Sequence, residues 1–202
     1  MGLVGSDLCK FISKNSKLFN SSLEKKMIPC TRILKKILVN DKNNQDLIRV
    51  ITARSWLITT NPERRLLRNT AFLESCGIVG SQLSFLLKAR HMIFVMEESE
   101  LRDLVSRVLD LGFSVNSRIF VYGLAVVSGL SKETFDRKLE LIRSFGFTKH
   151  EVMEMFQKQP TMLGKSEEQL KLGLDFFLNK IELQKETLIR GPRCLLHSLE
   201  KE

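Results

Sequence analysis

Apolar residues recur along this chain in short runs at three- and four-residue spacings, separated by polar turns and single glycines or prolines. The segments "QLSFLL" (82–87), "RIFVYGL" (118–124) and "EVMEMF" (151–156) each present one apolar face at a helical period. Leu, Lys, Glu and Met dominate, while alternating β-branched runs are rare. The most β-favouring stretch, "RVITARSWLITT" (49–60), still spaces its apolar residues for a helix. The pattern predicts an all-α chain.

Helix starts carry their own signals. Thr148 with Glu151, Ser166 with Gln169 and Ser21 with Glu24 each form a capping-box pair, and Asn61-Pro62-Glu63 orders a cap, an N1 proline and an early acid. Such caps satisfy the N–H groups that a first helical turn leaves without partners. Their close spacing predicts helices of about three turns. "NDKNNQD" (40–46) reads as a surface turn between two of them.

The punctuation is periodic. "DLGFS" (110–114) and "SFGFT" (144–148) are one element twice, with glycines 34 residues apart, and "SCGIV" (75–79) is a third copy 35 residues before Gly112. After each comes an apolar helix, then a break, then a second helix. The break residues run Ser16, Ser55, His91, Ala125, Pro160 and Pro192, at spacings of 39, 36, 34, 35 and 32. The chain therefore divides into about six repeats, approximately 1–36, 37–71, 72–106, 107–140, 141–175 and 176–202. A pair of short helices cannot bury its apolar faces alone, so neighbours must stack into an α-solenoid.

Charge alters this picture in one place. The formal net charge is +9, and residues 1–70 hold 14 Lys or Arg against 5 Asp or Glu, while residues 71–202 hold 18 of each. A basic excess confined to the first third favours a polyanion. Cys9, Cys30, Cys76 and Cys194 lie far apart, with no C-x-x-C pair, and read as free thiols. His91, His150 and His197 lack metal-ligand spacing. No glycine-rich phosphate loop, G-x-S-x-G or H-E-x-x-H is present, so the expectation is a non-enzymatic chain with no cofactor and no metal. No apolar run reaches membrane-spanning length.

Three segments carry a family resemblance: "LIRSFGFTKHEVMEMFQKQPTMLGKSEEQLKLGLDFFLNKI" (141–181), "SGLSKETFDRKLELIRSFGF" (128–147) and "GPRCLLHSLEK" (191–201). They resemble the repeat of the mitochondrial transcription termination factor (mTERF) family in its plant organellar branch. The resemblance implies two antiparallel helices and a 3₁₀ turn per unit, stacked into a half-doughnut superhelix. It further implies a basic concave face that holds double-stranded DNA or structured RNA. Location in a mitochondrion or chloroplast and a role in transcription termination or RNA maturation follow from the same resemblance, as do organellar transcription or RNA-processing partners. No transit peptide is visible, Gly2-Leu3 falls in the turn slot and the last unit stops at "SLEKE". The reading is of a monomeric solenoid truncated at both ends.

Stacking turns a residue type repeated at one slot into a stripe. Lys14, Arg54, Arg90, Lys158 and Arg190 each stand one or two residues before a break, whereas the fourth unit has Leu124 there. They are the candidate phosphate contacts, and five of them predict a log–log salt slope of about −4 to −5 on duplex DNA. The competing role is neutralising helix C-termini. A secondary basic set opens the second helices: Lys25, Lys26, Arg64 and Arg65, followed by Arg102, Arg137, Lys138 and Lys171, with Glu24, Glu63, Asp103 and Glu140 near enough to pair. Trp56, Tyr122, Phe113, Phe147 and Phe156 fall at apolar positions and read as core, which leaves no stacking ladder. A protein-interaction scaffold in an organellar ribonucleoprotein or ribosome assembly complex is the alternative reading.

Overall fold

Short helices that bury only one face need neighbours to cover it, and the fold is a succession of such coverings. The computed structural model describes residues 5–15, 20–59 and 62–197, and no strand occurs among them. The helices are α1 (Gly5–Lys14), α2 (Ile28–Ile37), α3 (Gln45–Ala53), α4 (Arg68–Ser75), α5 (Ser81–Ala89), α6 (Glu98–Asp110), α7 (Phe120–Val127), α8 (Lys132–Arg143), α9 (Lys149–Lys158), α10 (Glu167–Asp175) and α11 (Lys185–Arg190). Wide π-helical turns at Leu23–Met27 and Pro62–Leu67 lead into α2 and α4, and one at Phe176–Lys180 follows α10.

The chain forms two compact units that divide inside α6, between Asp103 and Leu104. In the first, α3 packs on α5, and α2 packs on the turn before α4. In the second, α9 packs on α11 and α8 on α10. First helices thus stack on first helices and second on second, as in an α-solenoid. Leu34, Leu47, Ile51, Leu66, Leu73 and Leu86 fill the first core; Phe120, Leu124, Ile142, Met155, Phe156 and Leu170 fill the second.

The break is the same device four times. After α3, α5, α9 and α11 the chain kinks at a single residue: Arg54 (φ −146°, ψ 65°), Arg90 (−146°, 61°), Gln159 (−142°, 75°) and Gly191 (−131°, 61°). One 3₁₀ turn follows, at Ser55–Ile58, His91–Phe94, Pro160–Gly164 and Pro192–Leu196. Proline has no N–H to continue a helix, yet Ser55 and His91 hold the same kink. The shared cause is burial: Leu57 with Ile58, Ile93 with Phe94, and Met162 with Leu163 are all drawn into the core by the turn. Ser16, the first predicted break residue, lies outside the described residues.

The fourth predicted break is not a break. α7 runs through Ala125 to Val127, and Ser128 N–H still donates to the Leu124 carbonyl at 3.0 Å. Alanine is the best helix former and keeps its N–H, and Leu124, Ala125, Val126 and Val127 are all buried, so nothing breaks the ladder there.

Thr148 and Ser166 close the predicted capping boxes. The first cap falls one residue later than predicted: Ser22 rather than Ser21 accepts from the Lys25 N–H, at 3.1 Å. Ser131 caps α8 in the same way, from Thr134 N–H. Asn61 lies outside the described residues. In the 40–46 turn, Asn40 and Asn44 take positive φ, and both Asp41 carboxylate oxygens accept from the Asp46 and Leu47 N–H groups.

Polar side chains fasten one repeat to the next. Asn69, fully buried in α4, donates to the carbonyls of Ile93 and Met96 at 3.1 and 2.9 Å. Lys138, on α8, does the same for Leu163 and Lys165, at 2.7 and 2.5 Å. Sequence placed Lys138 in a solvated basic set, but it is only 5% exposed. Burial pulls its ammonium below its ordinary range, with nearby Glu167 opposing. Both side chains satisfy carbonyls that a 3₁₀ turn leaves without a helical partner.

Candidate nucleic-acid interface

Each break ends a helix, so its last carbonyls face a favourable site for a cation. Arg54 and Arg90 occupy the kink itself, and each guanidinium donates to the carbonyl just before it, Ala53 at 2.8 Å and Ala89 at 3.4 Å. Lys158 and Arg190 stand one residue earlier, as the last residues of α9 and α11. One residue is about 100° around a helix, so the predicted set occupies two registers rather than one. The Lys14 side chain lies outside the described residues.

In the first unit the breaks are bonded to each other. Asn15 follows α1, donates to the Phe11 carbonyl at 2.7 Å and accepts from the Ser55 hydroxyl. Arg54 Nε donates to His91 Nε2 at 3.0 Å. Both bonds end on the first residue of a 3₁₀ turn, and they start from the residue after α1 and from the kink after α3. The His91 ring also meets Trp56 edge-on, with centroids 5.8 Å apart. Partial burial and the positive charges of Arg54 and Arg90 hold His91 below its ordinary pKa of 6.5, so the neutral ring is the acceptor.

The cations differ in how far carboxylates neutralise them. Lys158 pairs with Glu154 at 2.6 Å and donates to the Ile189 carbonyl at 3.0 Å, which links α9 to the end of α11. Arg65 is bonded to Glu97 and donates to the Val95 carbonyl at 3.4 Å. Arg102 pairs with Glu98, and Arg137 with Glu133 and Glu167, rather than with the acids that spacing suggested. Among the described residues, Arg54, Arg190, Lys25 and Lys26 form no ion pair. Arg64 is exposed on the turn leading into α4.

Two features escaped the sequence reading. Arg32, Lys35 and Lys36 are exposed on α2, a helix with no acid in its ten residues "IPCTRILKKI". α2 packs against the 55–58 turn that follows Arg54. The missing acids were legible in the sequence. Trp56 was not: it sits in the 3₁₀ turn, not on a helix, and is 38% exposed. Tyr122 is also partly exposed, on α7, whereas Phe113, Phe147 and Phe156 are buried as predicted.

Among the described residues no group of His, Cys, Asp and Glu is arranged to hold a metal ion. Within the same residues no helix is long and apolar enough to cross a membrane.

Comparison with known proteins bears on the same repeats. The mTERF family model matches residues 117–202. The chain is also similar to a protein of Arabidopsis thaliana, transcription termination factor MTERF8, chloroplastic, with 20% identity over 157 residues. That alignment takes in 78% of this chain and 31% of the relative, so the chain spans about a third of the length of the protein it matches. The matched family segment lies within the second compact unit, and the kinked break that recurs there recurs in the first. Residues 117–202 thus match the mTERF family, and the chain is similar to a chloroplast protein that carries the family's name.

Proposed function

We propose that this chain is a non-enzymatic nucleic-acid-binding protein that regulates gene expression in an organelle. It would grip the backbone of double-stranded DNA or structured RNA with its first unit and act as a roadblock to a polymerase or as a scaffold for RNA maturation. The observation that carries this reading is the cation at the first described break. Arg54 is exposed and meets no carboxylate, while Arg65, Arg68 and Lys88 of the same unit do. An arginine already held in place by His91 and the Ala53 carbonyl keeps further N–H donors for a phosphate. Arg90 and the α2 face with Arg32, Lys35 and Lys36 extend the positive surface within the same unit. The mTERF match over residues 117–202 and the similarity to a chloroplast termination factor support the organellar setting.

The test is an electrophoretic mobility assay against duplex DNA and a structured RNA across a salt range. Retardation that weakens steeply with salt is expected, as counterion release requires. No retardation at low salt overturns the proposal. The second unit favours a different role, a protein-interaction surface, because Arg137, Arg143 and Lys158 there are matched by Glu167, Glu140 and Glu154. Binding unchanged on removal of residues 104–202 would assign nucleic acid to the first unit alone.

A further inference from the structure

Trp56 and Met92 occupy the same register in consecutive repeats: each is the second residue of its 3₁₀ turn, directly after Ser55 or His91. Both are open to solvent, Trp56 at 38% and Met92 at 53%. The equivalent positions in the second unit carry Thr161 and Arg193, which are polar. A single exposed apolar side chain needs no explanation. Two at one register, each placed two residues after a kink arginine, make a different surface, because Arg54 and Arg90 bring positive charge to the edge of the apolar area.

The chemistry of that surface selects among nucleic acids. A duplex turns phosphates and sugars outward and keeps its base faces stacked inside, so it offers nothing to cover an indole. A nucleotide outside a duplex presents a flat π-face and a phosphate together. Stacking on an aromatic side chain is sequence-tolerant, and a neighbouring arginine adds to it. The Trp56 ring is already positioned, since His91 meets it edge-on and is itself held by Arg54 Nε. Little side-chain freedom is then lost when a base settles on it.

We infer that the Arg54–Trp56–His91–Met92 surface binds an unpaired nucleotide, with the base on Trp56 and its phosphate at Arg54, so that this unit prefers single-stranded or looped nucleic acid to continuous duplex. The inference rests on the nucleic-acid reading above and selects its substrate class. Loops of structured RNA and separated DNA strands share this chemistry.

Trp56 is the chain's single tryptophan, which makes its emission a direct probe of the site. The unmodified full chain is titrated, at one ionic strength, with end-labelled twelve-nucleotide oligo(U), oligo(dT) and a blunt twelve-base-pair duplex. Label anisotropy and tryptophan emission are followed together. Both single strands should quench the emission with the same midpoint as the anisotropy change, and bind more tightly than the duplex. Trp56→Ala should weaken single-strand binding about tenfold and leave duplex binding unchanged. Quenching by oligo(U) alone would restrict the site to RNA, and by both strands would extend it to opened DNA; either supports the inference. Single-strand binding without quenching, or duplex quenching that equals it, overturns the inference and leaves the nucleic-acid reading standing. No anisotropy change with any of the three overturns both. Because the quenching is read on the unmodified chain, a folding defect in the variant does not shield the inference.

Discussion

Arg54 Nε donates to His91 Nε2 across 3.0 Å, which ties the kink that ends the first helix of one repeat to the first residue of the next repeat's 3₁₀ turn. Two breaks 37 residues apart in sequence are thereby held at bonding distance within the first unit. The bond needs an imidazole nitrogen without a proton, so it is sensitive to acid.

His91 is held below its ordinary value of 6.5 by partial burial and by Arg54 and Arg90. A group that folding keeps neutral binds its proton more readily in the unfolded chain. Its contribution to stability is therefore complete above about pH 6.5 and is lost as pH falls through the lower folded value. His91→Gln keeps an acceptor for Arg54 but cannot titrate. The stability advantage of the parent over this variant should shrink between pH 7.5 and pH 5. Thermal melts of both across that range test it, and a parallel pair of curves would contradict it.

Arg54 and Lys158 entered the sequence reading as equals and differ in structure. Arg54→Ala should weaken nucleic-acid binding and reduce the magnitude of the log–log salt slope by about 1. Lys158→Ala removes a cation already paired with Glu154, so binding should change less than twofold, on the order expected for an exposed ion-paired side chain. It also deprives the Ile189 carbonyl of a donor. Its effect should appear instead as a lower melting temperature. Mobility shifts over salt, with melts of the same proteins, separate the two behaviours.

Lys138 stitches α8 to the following 3₁₀ turn through two carbonyls. Lys138→Met keeps the stem's apolar packing and removes both donors, leaving buried acceptors without partners. A loss of about 2–3 kcal/mol is expected by denaturant titration. A loss below about 0.5 kcal/mol would mean that water replaces the ammonium there.

Gly112 takes φ +87°, a left-handed conformation that a side chain strains, and a Cβ there would strike the Gln157 amide lying across it. That amide donates to the Leu111 carbonyl at 2.8 Å. Gly112→Ala should cost about 1–2 kcal/mol from backbone strain alone, and Gln157→Ala should cost less. If the double variant loses no more than Gly112→Ala, the strain has already displaced Gln157. Chemical denaturation of the three variants checks this.

Much of the local architecture was legible. Thr148 with Glu151 and Ser166 with Gln169 mark helix starts because the spacing that makes a capping box is short-range and written in four residues. The kinks at Pro160 and Pro192 were legible for an equally local reason, the missing N–H. Ala125 was misread because its place in the period suggested a break while its own chemistry favours a helix. There the local propensity and the burial of Leu124 to Val127 won.

The candidate site was legible in kind and not in detail. Sequence identified a basic first third and cations beside the breaks, and it described the repeat that the family comparison also finds in residues 117–202. It could not separate Arg54 from Lys158, because the carboxylate that neutralises a cation is chosen by distance in space: Arg137 meets Glu167, thirty positions on. Nor could it turn Lys138 inward or Trp56 outward, since periodicity assigns a face only within a continuous helix, and both fates depend on a 3₁₀ turn packing between helices. Helix type, caps and period follow from contacts a few residues apart, which any four-residue window records. Which cation stays free, which ring stays open and which break bonds the next are set by contacts between repeats, and only the stacked chain brings those residues together.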